Sequence, residues 1–162
     1  MPDQSTQACQ PAEADDLPGN AALAPAPGDI VVGWTDALAL DDEEMDRTHH
    51  EFADLLAAIL DASDAEIPAL IDETVEHTRA HFLQETTWMQ MTAFPPIHCH
   101  EREHSNILEV VLEVQRRVAG GELELARTLA IALAEWLQLH VDSMDRVLSL
   151  WMKEQRRLQA AA

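Results

Sequence analysis

The heptapeptide HCHEREH at residues 98–104 holds three histidines, two glutamates and a cysteine. Imidazole, carboxylate and thiolate are the side chains that ligate metal ions, and spacing decides which of them can act together. His100 and His104 are four residues apart, as are His81 and Glu85 in HFLQE. Four residues turn an α-helix through about 400°, so each pair projects from one face, one turn apart. Two neighbouring helices with such pairs can converge on ions between them. His49 in MDRTH and His140 in HVDSMD add one imidazole each. Asp145 lies five residues after His140, which a regular helix places about 140° away. It joins the set only if the helix widens there, as in a π-bulge, a feature frequent at functional sites. Five histidines and two carboxylates exceed the roughly three to four ligands of one zinc site. Seven donors fit two ions bridged by carboxylates. Imidazole-rich ligation suits iron, copper, zinc or nickel, so donor type alone does not choose among them.

These side chains must be carried by helices. Met45, His49, Phe52, Leu56 and Ile59 recur at three- and four-residue steps and predict a first helix over about 41–62, with Asp41 or Asp42 as its cap. A second helix is expected over about 65–92, striped by Ile67, Leu70, Thr74, Thr78, His81, Glu85, Trp88 and Met89, with Pro68 in its first turn. FPPI at 94–97 breaks the chain. The third helix, about 96–119, carries His100, His104, Ile107, Val111, Val114 and Val118 inward and ends at the glycine pair 120–121. The fourth begins near Glu122 with Leu125, Leu129, Leu133, Trp136, Leu137 and His140, and continues through MDRVLSLWMKEQRRL. Long helices with short connections predict an all-α, antiparallel up-down-up-down four-helix bundle. His49, His81, Glu85, His100, His104 and His140 then share one interior. Left unpaired there, each would cost about 1–3 kcal/mol. An ion among them removes that cost together.

The chain has 162 residues, 47% of them apolar, enough for one domain with a proper core. Residues 1–30 hold five of the eight prolines amid Ala, Asp and Gln, the composition of a flexible extension; the bundle is expected over 31–162, starting near Ile30. Asp and Glu number 30 against 10 Lys and Arg, a formal net charge of −20. That field repels nucleic acid and anionic membrane surfaces. The first residues lack a basic start and an apolar run, so no secretory signal is read there. No segment reaches the roughly 20 apolar residues of a membrane span. Two cysteines, Cys9 and Cys99, are too few for a disulfide framework. A cytoplasmic protein is expected.

The ordered motifs resemble the hemerythrin family, most closely its bacterial branch. GWTDALAL at 33–40, MDRTH at 45–49, HFLQET at 81–86, FP followed by HEREH at 100–104, and WLQLHVDSMD at 136–145 occur in the family's order and spacing, and the likeness covers about 33–150. The resemblance implies a four-helix bundle with a non-heme di-iron centre that binds dioxygen reversibly. By that likeness His49 and His81 serve the iron with an open position. His100, His104 and His140 saturate the other. Glu85, Asp145 and an oxo or hydroxo group bridge the two. Phe82, Trp136, Leu137 and Val141 line the apolar oxygen pocket. Thr86 stands where the family often has a second Glu, and His77 where Tyr is common. Both positions bear on hydrogen bonding around the ligands, hence on oxygen affinity or autoxidation.

The remaining polar residues have simpler readings. His50 and His98 are expected at the surface, and His77 either supports a ligand or packs in the core. Cys99 is off the ligand stripe, Glu101 and Glu103 lie on a solvated face, and KEQRR at the C-terminus suits the helix dipole without a partner. Oxygen-activating di-iron bundles use two Glu-x-x-His motifs. Here only Glu101 and His104 fit one, so oxygen storage, delivery or sensing, without enzymatic turnover, is favoured. An oxygen-requiring enzyme would be the recipient. A di-iron oxidoreductase and a metal-storage module are the competing functions.

Overall fold

In the computed structural model, residues 31–161 are described; the expected extension over 1–30, with Ile30 and Cys9, lies outside the described residues. Helix α1 spans Glu43–Asp61, α2 Ile67–Met91, α3 Ile97–Ala119 and α4 Glu124–His140. A π turn, Val141–Asp145, passes the chain from α4 into α5, Arg146–Ala160. A short 3-10 turn at Asp36–Leu38 precedes α1. No strand occurs among the described residues. α1 packs on α2 and α4, and α3 packs on α2 and α4, which closes the four-helix bundle. No helix of the described residues is long and apolar enough to cross a membrane.

The expected stripes form the core. Met45, His49, Phe52, Leu56 and Ile59 of α1 are all buried, as are Val111 and Val118 of α3 and Leu129, Leu133 and Leu137 of α4. Thr74 and Thr78, polar residues on the inner face of α2, are buried without strain because each hydroxyl donates to the carbonyl four residues back. Asp42, not Asp41, caps α1: its carboxylate accepts from the Met45 amide at 3.4 Å.

The C-terminal part of the long fourth helix is tied down more firmly than its sequence suggests. Lys153 Nζ donates to the Leu40 carbonyl at 2.6 Å, and Arg156 pairs with Asp42 at 2.8 Å. Trp151 Nε1 donates to the Thr92 carbonyl at 3.0 Å. The expectation that KEQRR needs no partner is therefore corrected for Lys153 and Arg156. Their partners lie more than a hundred residues away in sequence, so no local pattern announced them.

Both α2 and α3 end in the same hydrogen-bonded motif. After α3, Gly121 N–H donates to Val118 O and Glu122 N–H to Arg117 O, with Gly121 at φ +99°. After α2, Ala93 N–H donates to Gln90 O and Phe94 N–H to Met89 O, with Ala93 at φ +50°. A side chain in that left-handed region costs about 1–2 kcal/mol, which glycine avoids. Ala93→Gly is therefore expected to stabilise the protein by about 1 kcal/mol. Chemical denaturation checks this; an unchanged or lower midpoint would show that Ala93 is not strained.

Candidate metal centre

All four walls of the bundle supply the site. α1 brings His49; α2 brings His81 and Glu85; α3 brings His100 and His104. His140 is the last residue of α4 and Asp145 the last of the π turn. The wider turn closes the angular gap that a regular helix would leave: His140 Nε2 and Asp145 Oδ1 stand 3.1 Å apart. The seven side chains are all buried, and both carboxylates are fully so.

The two carboxylates divide the histidines into two groups. Glu85 turns Oε1 toward His81 Nε2 at 2.8 Å and His49 Nε2 at 3.7 Å. It turns Oε2 toward His100 Nε2 at 3.0 Å and His104 Nε2 at 3.3 Å. Asp145 repeats the division, with Oδ2 toward His49 at 3.2 Å and Oδ1 toward His100 at 3.2 Å and His140. One group of donors is thus His100, His104 and His140 with one oxygen of each carboxylate. The other is His49 and His81 with the opposite oxygen of Glu85, while Asp145 Oδ2 faces His49.

Hydrogen bonding within the protein does not satisfy this arrangement. His140 Nε2 lies 3.0 Å from both His100 Nε2 and His104 Nε2. His100 Nε2 also faces an oxygen of each carboxylate. One imidazole nitrogen holds at most one proton and cannot serve three neighbours. Both oxygens of Asp145, Glu85 Oε2 and His49 Nε2 have no hydrogen-bond partner, although buried polar groups are nearly always paired. Lone pairs of nitrogen and oxygen converging on one point fit a cation at that point. The residues present therefore fit a metal site, with Glu85, His100, His104, His140 and Asp145 as one set of converging donors and His49, His81 and Glu85 as another.

The electrostatics follow from the same crowding. Burial lowers the pKa of His49 and of His100, but the carboxylates of Asp145 and Glu85 beside their ring nitrogens outweigh it and raise each to about 9. For His104 burial wins and lowers it to about 3. Burial raises both carboxylates, yet the surrounding imidazoles hold Glu85 and Asp145 well below the usual range. The protein without metal thus keeps protons on imidazoles that metal would replace.

Two aromatic rings sheathe the three-histidine group. Phe82 stacks flat on His104 at 3.8 Å, and Trp136 stacks on His140 at 4.4 Å. The Trp136 indole N–H donates to Glu103 Oε1 at 3.1 Å, so Glu103 is not merely a solvated residue. Neither its type nor its spacing signalled that bond, which spans two helices. Leu137 and Val141 are buried in the core beside them. His98 is exposed, its side chain 93% accessible, and His50 packs against Trp34 and pairs with Asp54 at the surface. Cys99 is half-buried on α3, outside the cluster. Thr86 and Glu101 line a surface cleft of about 380 Å³ between α2 and α3, which His104 and Phe82 floor. His77 touches no donor oxygen of the cluster; its Nε2 meets the Thr48 carbonyl at 3.2 Å.

Comparison with known proteins agrees with this geometry. A family model described as the hemerythrin HHE cation binding domain matches residues 40–150. The bacteriohemerythrin of Ralstonia nicotianae is 42% identical over 135 residues, covering 82% of this chain and 98% of that protein. The bacteriohemerythrin of Stenotrophomonas maltophilia is 27% identical over 117 residues, covering 70% of this chain and 76% of that protein. One from Pseudomonas aeruginosa is 27% identical over 116 residues.

The raised His49 and His100 set a pH dependence. Their stabilising protons are fully present below the ordinary value of 6.5 and leave as pH rises through about 9. The metal-free protein is therefore expected to lose thermal stability between those values. Metal-loaded protein, whose imidazoles are already deprotonated, is expected to lose much less. Melting curves with and without chelator across this range decide it; metal-free protein as stable at the upper end as at the lower contradicts the assignment.

Proposed function

The chain belongs to the hemerythrin family, and on that premise we propose that its buried cluster holds two non-heme irons and binds dioxygen reversibly, for oxygen storage, delivery or sensing. The observation that carries this reading is the division of each carboxylate between two groups of imidazoles. His49 and His81 would hold one iron and leave a coordination position open. His100, His104 and His140 would fill the other. Glu85 and Asp145 would hold both. Two irons there would supply the electron pair for reversible binding of dioxygen.

The His140 nitrogen lies 3.0 Å from those of His100 and His104, close enough for one ion to take all three. Phe82, Trp136, Leu137 and Val141 would keep water from the centre and hold its field strong. Binding is favoured over oxygen activation because Glu101, the only glutamate in a Glu-x-x-His pattern with a cluster histidine, stays outside the cluster and keeps 35% of its side chain exposed.

Iron analysis and oxygen cycling test the proposal. Reduced, iron-loaded protein should carry two irons per chain and gain visible absorption in air that disappears when oxygen is removed. Irreversible oxidation at the first exposure would favour a di-iron oxidoreductase, and one metal per chain would refute both. His140→Ala should lose about one iron, whereas His98→Ala should keep both.

A further inference from the structure

The two groups of imidazoles are held in different ways. On the three-histidine side, Phe82 and Trp136 press on the rings of His104 and His140. The two-histidine side depends on α1, which contributes His49 alone. His49 Nδ1, like the Nδ1 atoms of His81, His100 and His104, has no hydrogen-bond partner, and among the described residues the His49 ring has no flat stacking partner, meeting His81 edge-on at 5.0 Å. Metal-binding histidines ordinarily gain that orientation by donating the second ring N–H. Here the position of the α1 backbone must supply it.

Side-chain hydrogen bonds between α1 and α2 gather at that level. The single Thr48 hydroxyl proton is shared between the Glu44 carbonyl at 3.0 Å and Gln84 Oε1 at 3.1 Å, and Gln84 Nε2 donates to Glu44 Oε1 at 2.7 Å. His77 Nε2 meets the Thr48 carbonyl at 3.2 Å. A carbonyl only accepts, so His77 Nε2 carries the proton. Thr48 precedes His49, and Gln84 precedes Glu85. The latch therefore grips the residue next to a ligand on both helices. The His77 ring also stacks on Phe52 at 5.5 Å and meets the His81 ring edge-on at 6.0 Å. One side chain thus touches the backbone beside His49 and the ring of His81.

We propose that His77, with the Thr48–Gln84–Glu44 hydrogen bonds, is a positioning residue that sets the separation of His49 from His81 and so the affinity of the two-histidine group for its ion. This rests on the reading that the cluster binds two ions. The three-histidine group takes its imidazoles from α3 and α4, shares only Glu85 and Asp145 with the other group, and has no contact with His77, so its ion serves as the internal control for folding.

Cobalt(II) titration of the full chain, followed by visible absorption and native mass spectrometry, tests this. Wild type should bind two ions. His77→Phe keeps the stacked ring but removes the N–H; it should weaken the second ion by about 10- to 100-fold and leave the first unchanged. His77→Gln restores an amide N–H and should recover much of the loss. Two ions bound by His77→Phe with wild-type affinity would overturn the latch while leaving the two-ion reading intact. Equal weakening of both ions would also overturn it, because that marks a general loss of structure. A wild type that binds a single ion would overturn the reading and the latch together.

Discussion

Glu85 and Asp145 are fully buried carboxylates at the centre of a helical bundle, with no lysine or arginine among the described residues paired with them. Burying such a charge costs several kcal/mol unless it is compensated at close range. His49, His81, His100 and His140 supply the compensation, and each comes from a different helix of the bundle. The charge of two side chains therefore fixes the register of all four helical walls. It also explains why the site cannot be satisfied by protons alone. Imidazoles 3.0 Å apart cannot each place a proton usefully, whereas cations between nitrogen and oxygen satisfy every lone pair at once.

The rest of the fold shields and aims this centre. Away from the cluster the interior is largely aliphatic, with Leu56, Ile59, Ile71, Leu129 and Leu133 packed together. The π turn interrupts regular α-helix at one place, and that place is where Asp145 must swing inward. Irregular helix geometry weakens local hydrogen bonding, so it persists where the surroundings hold it. Here α5 beyond the turn is tied to the segment before α1 by Lys153 and Arg156. Those bonds hold the far end of the turn and so fix the direction from which Asp145 approaches.

Much of this was legible in the residues because helices translate spacing into direction. His81 with Glu85, and His100 with His104, share a face by arithmetic alone. Even the π turn followed from spacing, since Asp145 could meet His140 only if the helix widened. What the chain did not disclose are contacts between helices at solvent-facing positions. Glu103 reads as a surface residue on α3, yet it accepts from Trp136 on α4. His77 reads equally as core or support, because a bond to the backbone of another helix leaves no mark in side-chain pattern. Such pairs depend on how far one helix slides along the next, which periodicity does not encode.

The asymmetry of the centre follows from this division of labour. A metal group with a full set of imidazoles gains from rigidity, and flat aromatic rings against His104 and His140 restrict both. A group with only two imidazoles has fewer donors to fix its geometry, so that geometry must be supplied by something other than coordination. The single imidazole of α1 has no partner on its second nitrogen. Its placement then passes to the helix backbone and to the bonds that clamp that backbone to α2. An exposed salt bridge would serve poorly, since such pairs contribute about 0–1 kcal/mol and weaken with salt. Hydrogen bonds from half-buried His77 and buried Thr48 are better suited. They lie one residue from His49 or one turn from His81, close enough for a small shift of α1 to be felt at the two-histidine group.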